Sequence, residues 1–338
     1  MNILVAGGAG YIGSHAVRRL LKGNHKVTVL DNLSKGYLAA IESAAFELNN
    51  KPRFVQGDIA DENLVTQVLM EDQIEAVLHF SAFIEVGESI DNPEKYYQNN
   101  LMGSFALLKA MKNAEVQKLV FSSTAAVYGN PTSIPLSENN ACLPINPYGK
   151  SKLMVEWIID DYCKAYNLGY AILRYFNVAG ATPEGVIGEA HDPESHLIPR
   201  ILLAAAGQSE SISIFGTDYP TVDGTCIRDY IHVEDLIEGH LLALKKIQPG
   251  QGSIYNLGSE SGFSVRQVIN ACIKITGKPI TVLEQARRPG DPATLIASSA
   301  KIREELGWKR RFPELEKIVL HAWNWHQRKT TFPGKSAG

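Results

Sequence analysis

Cysteine is scarce in this chain. Cys142, Cys163, Cys226 and Cys272 are the four among 338 residues, and none falls in a CxxC pair or a metal-ligand spacing. That argues against a disulfide-stapled scaffold and for free thiols in a reducing compartment, and no metal is expected. An excess of one charge sign is also missing, with 33 Lys and Arg against 36 Asp and Glu, a net charge of -3. The balance removes the electrostatic case for nucleic acid or an anionic membrane, while leaving room for a local basic pocket. No apolar run approaches the roughly 18 residues of a spanning helix. The first residues carry no charged segment, long apolar core or cleavage site, so a cytoplasmic location is the expectation.

What is abundant is core. Hydrophobic residues make up 45% of the chain, and its length favours two domains. Short apolar runs at 3–6, 26–30, 53–56, 76–79, 118–121 and 171–174 read as strands. Most are continuously apolar, as strands covered on both faces should be, although such runs could also be buried helix segments. Helical patterns near 12–22, 61–71, 95–113 and 147–166 lie between them. The expected fold is α/β, a Rossmann-type parallel sheet flanked by helices. Leu101, Phe105, Leu108 and Met111, and again Leu153, Trp157, Ile158 and Tyr162, recur at helical spacing. Either stripe could face the core or a second subunit.

After Asn177 the composition turns to Gly, Pro, Asp and Thr, with a helix at 197–206 and a strand at 211–215. Residues 231–244 and 265–276 look helical and 252–256 strand-like. The division expected is a cofactor domain at 1–177, joined by about 230–256, and a smaller mixed α/β substrate-binding domain over 178–338. No internal repeat is present, and 327–338 is expected to fray or lie on the surface.

Gly7-Gly8-Ala9-Gly10-Tyr11-Ile12-Gly13 follows the first strand and opens the first helix. In that context Gly7, Gly10 and Gly13 supply a tight turn, close approach to a pyrophosphate and close helix–strand packing, while free amides at the helix start face the phosphates. Asp31 ends the second strand, where a carboxylate accepts from both ribose hydroxyls and repels a 2′-phosphate, so NAD is expected rather than NADP. Asp58, at the end of the third strand, is a candidate for the adenine edge.

Tyr148 and Lys152 stand four apart on one helical face. A phenol is a poor base at neutral pH. Lowering its pKa by about 3 units takes about 4 kcal/mol, which the ammonium and a bound nicotinamide cation are expected to share. Thr124 follows the fifth strand at the ligand-collecting end of the sheet and could hydrogen-bond the reacting oxygen; Ser122 is better suited to lining the site.

These strings resemble the extended short-chain dehydrogenase/reductase family, in its nucleotide-sugar epimerase branch. The resemblance runs through GGAGYIGSH at 7–15, DNLSKG at 31–36, VGES at 86–89, SSTAAVYG at 122–129 and NPYGKSK at 146–152. It continues through LRYFNVAGA at 173–181, HLIP at 196–199, DGTCIRDYIHVEDL at 223–236 and RRPGD at 287–291. It implies tightly held NAD, a homodimer, and reversible interconversion of UDP-glucose and UDP-galactose through a 4-keto sugar. Tyr148 would take the 4-hydroxyl proton, Lys152 would hold the nicotinamide ribose, and Thr124 would bridge sugar and tyrosine. Tyr11, Ile12, Asn32, Ile59, Phe80, Asn99, Ser122 and Tyr175 would join the cofactor site.

For the substrate, the resemblance implies Asn177 near the diphosphate or sugar, Leu197 at the uridine, Arg228 and Arg288 on the diphosphate, and Asp291 on the uridine ribose. Three positions vary. Ile84 replaces a lysine common near the pyrophosphate, His196 replaces an asparagine, and Leu295 replaces a bulky tyrosine beside the sugar 2-position. The smaller Leu295 implies acceptance of UDP-GlcNAc and UDP-GalNAc as well. Ala125 and Ala126 after Thr124 cannot transfer protons, which argues against a dehydratase. A 4-epimerase of UDP-arabinose or UDP-glucuronate, and an inactive NAD-sensing scaffold, are the competing readings.

Overall fold

The computed structural model describes residues 1–131, 133–288 and 291–329. Seven strands build the main sheet: β1 (Asn2–Ala6), β2 (Lys26–Asp31), β3 (Arg53–Gln56), β4 (Ala76–His79), β5 (Lys118–Ser122), β6 (Gly169–Tyr175) and β7 (Gly252–Leu257). Their spatial order is β7-β6-β5-β4-β1-β2-β3, and every pair is parallel. Leu4 sits between Thr28 and Val77 in register. The order reverses between β1 and β4, which opens a crevice beyond the carboxyl ends of those strands.

The apolar runs are strands because each face of the sheet has its own core. Ile3, Val5, Leu20, Leu78, Leu236 and Trp308 fill one side. Leu4, Val65, Leu107, Phe121, Val155 and Ile159 fill the other. All four cysteines are free thiols, and among the described residues no helix is long and apolar enough to cross a membrane.

Three expectations need correction. Helical winding does run from Pro93 to Asn113, but Tyr97–Met102 is a π-helical turn, which rotates Asn99 and Asn100 relative to the α-helix that follows. The helix expected from residue 231 begins at Val233. Tyr230–His232 is a strand paired in parallel with Asn177–Ala179, and His232 Nδ1 accepts from Glu234 N–H at 3.0 Å to cap the helix. At the C-terminal end, Leu315–Lys329 is helical, so residues 327–329 continue the last helix rather than fray, with Gln327 and Arg328 exposed on the surface as expected; 330–338 lie outside the described residues.

The remaining chain forms a smaller lobe of mixed sheets and helices. Helices Leu197–Ala205, Val265–Thr276 and Leu315–Lys329 surround Ile201, Leu202, Val268, Cys272, Ile318 and Val319. Ile212–Phe215 pairs with Val282–Gln285, and Ile227–Arg228 lies between Phe263–Ser264 and Thr294–Leu295. That last trio matters most, because it carries Arg228 and Leu295 side by side in register.

Candidate active site

The turn after β1 is shaped by atoms that leave no room for side chains. Gly7 has φ +80°, and a Cβ there would lie 2.6 Å from Ser81 N. A Cβ on Gly13 would lie 2.1 Å from the Gly7 carbonyl oxygen. At Gly10 the nearest atom would be 3.4 Å away, so packing within the chain hardly demands glycine there. Gly10 caps the helix without a side-chain bond, and its first internal bond runs from Ser14 N–H to Gly10 O. The amides of Tyr11, Ile12 and Gly13 precede that bond, as at every helix start, and make an anion cradle. The Tyr11 side chain points away to the smaller lobe, where its hydroxyl donates to Gly180 O at 2.7 Å and ties the helix to it.

Beside the loop, Gly7, Gly10, Asp31, Asn32, Asp58, Ile59, Phe80 and Asn99 line one cavity, joined by Ser34 and Lys35. The Asp31 carboxylate is preset by Ala9 N–H and Leu33 N–H, which donate to its two oxygens at 2.9 Å. Burial still pushes its pKa up. Asn32 Nδ2 donates to Asp58 at 2.8 Å. Backbone cradle, ribose-facing carboxylate and cavity fit the adenosine half of NAD. Ile84 is partly exposed, and Lys35 supplies a cation at the cavity that sequence reasoning missed.

The groups expected to react lie near the ends of β5 and β6. Asn146 caps the helix Pro147–Tyr166 by accepting from Gly149 N–H at 2.8 Å, which fixes Tyr148 in the first turn. Burial, with the nearby Glu85 carboxylate, pushes the Tyr148 phenol up to about 12 against the opposing pull of the Thr124 side chain beside it. Lys152 Nζ donates to Ser122 O at 2.9 Å and lies 4.8 Å from the Phe121 ring centroid. Burial lowers the lysine to about 7, against the pull of Glu156. The amine is therefore only partly protonated at neutral pH, and its support for the phenolate is weaker than that of an ordinary ammonium. Ser122 Oγ donates to His240 Nε2 at 3.0 Å, because His240 Nδ1 already donates to Leu236 O. Burial raises the nearby Tyr175 phenol, against the opposing pull of the Ser122 side chain.

In the smaller lobe Arg228 and Arg288 both approach Asp291, at 3.6 Å and 2.9 Å. Arg228 also donates to Pro292 O at 2.8 Å, while Arg288 is mostly exposed and lies over Phe215. Leu295 packs beside Tyr128 and Leu153, next to the reacting tyrosine's helix. Leu197 opens its helix with its side chain on the lobe core. Two expected substrate contacts are already engaged. Asn177 Nδ2 donates to Asp229 O at 3.2 Å, and His196 Nδ1 is drawn to Glu189, leaving Nε2 as its free polar edge.

Residues 3–258 match the NAD dependent epimerase/dehydratase family. The chain belongs to that family. It is 50% identical over 328 residues to the UDP-glucose 4-epimerase of Halalkalibacterium halodurans, covering 97% of this chain and 96% of that one. It is 51% identical to the UDP-glucose 4-epimerase of Streptococcus mutans, covering 96% and 97%. The crystal structure of UDP-glucose-4-epimerase from Stenotrophomonas maltophila, with bound NAD and formylated UDP-arabinopyranose, superposes with a TM-score of 0.94. It is 41% identical, covering 98% of this chain and 99% of that one.

This epimerase/dehydratase-family site rests on buried polar supports that local spacing does not reveal. Arg174 holds Glu156 with two nitrogens, Ser123 donates to the same carboxylate, and Arg174 also reaches Tyr128 Oη at 3.1 Å. Through Ser123 this network reaches the residue immediately before Thr124. Asp229, fully buried, accepts from Ser259 and Ala297 N–H and holds the strand bearing Arg228 against that bearing Leu295. A Cβ on Gly258 would come within 2.3 Å of its carboxylate. The only sequence signal for these residues is charge inside apolar surroundings.

Proposed function

We propose that this chain interconverts UDP-glucose and UDP-galactose reversibly by oxidation and re-reduction at sugar carbon 4, with NAD as resident cofactor. What supports the reading is the combination of a glycine loop opening the first helix, Tyr148 and Lys152 one turn apart on a helix beside Thr124, and two arginines sharing Asp291. When bound, NAD supplies reversible hydride acceptance at carbon 4, so no net redox change results.

The amides of Tyr11, Ile12 and Gly13 hold the pyrophosphate, with Gly7 and Gly10 giving close approach. Asp31 and Asn32 hold the adenosine ribose, and Asp58 and Ile59 flank the adenine. Phe80, Asn99, Ser122 and Tyr175 line the nicotinamide half, whose ribose Lys152 binds. Tyr148 Oη takes the proton from the sugar 4-hydroxyl and later returns it, and Thr124 Oγ1 orients both oxygens. The phenol must be ionised to do so, and positive charge gathered beside it lowers its pKa.

Arg228 and Arg288 exchange Asp291 for the diphosphate, their directional charged donors matching its oxygens. That exchange frees Asp291 for a uridine ribose hydroxyl. Leu197 flanks the uridine, and Asn177 with His196 borders the diphosphate and sugar. Leu295 leaves space beside sugar carbon 2, which supports a second activity on UDP-GlcNAc and UDP-GalNAc.

Residues 1–177 with about 230–256 act as the cofactor domain, and the rest mainly as the sugar-nucleotide domain. A homodimer accompanies this reading: Met102, Phe105 and Trp157 expose apolar surface on two helices packed side by side. Four free thiols suit a cytoplasmic location. The test is turnover of UDP-galactose to UDP-glucose by purified protein with no added nicotinamide. Failure at full NAD occupancy overturns the reading.

A further inference from the structure

Away from the reacting tyrosine, four side chains on one short loop converge. Glu189, His191, Glu194 and His196 each offer one ligand-type atom, and these atoms all lie within 4.8 Å of one another. His191 Nδ1 is 3.0 Å from Glu189 Oε1 and 3.8 Å from Glu194 Oε1, and His196 Nδ1 closes on the same Glu189 oxygen. We infer that this cluster binds one divalent transition-metal ion, zinc in the first instance, through two imidazole nitrogens and two carboxylate oxygens.

The geometry supports a small tetrahedral ion. Bonds of about 2.0–2.2 Å place tetrahedral ligand atoms about 3.3–3.6 Å apart, between the two measured separations. Two imidazoles favour a borderline ion over magnesium or calcium, whose preferred ligands are all oxygen. The hydrogen-bond pattern points the same way. His191 Nδ1 is buried and makes no aligned hydrogen bond despite the carboxylate 3.0 Å away. Two imidazoles therefore compete for one oxygen that a central cation would share among all of them.

The surrounding residues hold these ligands in place. Trp325 Nε1 donates to Glu189 O at 2.9 Å, and a Cβ on Gly188 would strike the Trp325 ring. Glu194 Oε1 accepts from the amides of Ser195 and His196, both at 3.0 Å. The Tyr11 ring stands edge-on to His191, and Ser195 Oγ donates to Glu85 at 2.8 Å. The loop thus touches the first helix of the main sheet, the last helix of the chain and the start of Leu197–Ala205. An ion here is structural: it fixes the loop where the two lobes meet and takes no part in proton transfer. It departs from the expectation of no metal, which followed cysteine spacing and overlooked the Glu-x-His-x-x-Glu-x-His pattern.

The test loads full-length, NAD-containing protein with Zn²⁺ or Co²⁺ after chelator treatment and removes the excess. About one equivalent of zinc per chain is expected, with the strong visible absorption of a four-coordinate ion for cobalt. Zinc should raise the thermal midpoint by about 3–8 °C. His191→Ala and Glu189→Gln should each fall below about 0.1 equivalent and lose the midpoint shift, with NAD content unchanged. If Glu189→Gln does not fold, His191→Ala decides. Less than about 0.1 equivalent in the loaded parent protein, or equal zinc in parent and His191→Ala, overturns the site.

Discussion

Lys152 donates from its side-chain nitrogen to the carbonyl of Ser122, 2.9 Å away, one helical turn from Tyr148. That bond joins the helix of the proposed base to the end of β5. It also buries the amine, and burial drives the lysine down to about 7 while Tyr148 is driven up to about 12. Spacing alone had suggested an ammonium that shares with a bound nicotinamide cation the task of favouring the phenolate.

A stability measurement tests this. Between about pH 7 and the ordinary lysine range, the unfolded chain keeps a proton that folded Lys152 lacks, so stability rises with pH across that window. Below it, the full cost of burying the charge remains. In protein stripped of NAD, Lys152→Met should gain on the parent by several degrees near pH 6.5, the gap closing by about pH 10. A gap independent of pH would mean the amine titrates normally.

Removing the Tyr148 hydroxyl should abolish turnover while sparing the cofactor. Tyr148→Phe is expected to lose at least about 10²–10⁴-fold in kcat, with NAD content per chain unchanged. Inversion at the parent rate would remove Tyr148 from the reaction.

Asp31 is held by two backbone amides before any ligand arrives. Asp31→Ser should weaken NAD binding by about tenfold or more and narrow the preference over NADP, because it removes both the ribose acceptor and the repulsion of a 2′-phosphate. Cofactor titration of the stripped protein reads this directly, and unchanged discrimination would place selectivity elsewhere.

Arg228→Ala separates the two ligands. It should raise the UDP-sugar Kd by about 10–100-fold, with NAD occupancy little changed. Calorimetry with UDP alone suffices, and parallel loss of NAD would signal a folding defect.

Leu295 shares a register position with Arg228 and packs on the Tyr128 and Leu153 side of the site. Leu295→Tyr should depress turnover of UDP-GalNAc by about tenfold or more relative to UDP-galactose, since added volume in a packed wall is felt by the bulkier substrate. Competition between the two sugars in one assay gives the ratio, and equal losses would remove the gate.

Much of this architecture is written locally. Strands covered on both faces must be apolar throughout, so the six runs through residue 174 stand out from the helical patterns between them. Gly7, Gly10 and Gly13 are legible because their spacing falls on a tight strand-to-helix turn, where the chain's own backbone leaves no room for a side chain at Gly7 and Gly13. Tyr148 and Lys152 are legible because four residues make one helical turn. The short strand at Tyr230–His232 was hidden by its continuity with the helix that follows, and its partner is Asn177–Ala179, far back in the chain.

Periodicity and turn chemistry act between neighbours, so the amino-acid order was enough to place the sheet, the phosphate loop and the tyrosine helix. Which distant groups meet is settled by packing: Arg174 on Glu156, Asp229 on Ala297, and Arg228 on Asp291. Charge state belongs to that second class too. Lys152 reads as an ordinary cation until three-dimensional burial strips away water and lowers its pKa to about 7, where the charge is only partly held at neutral pH.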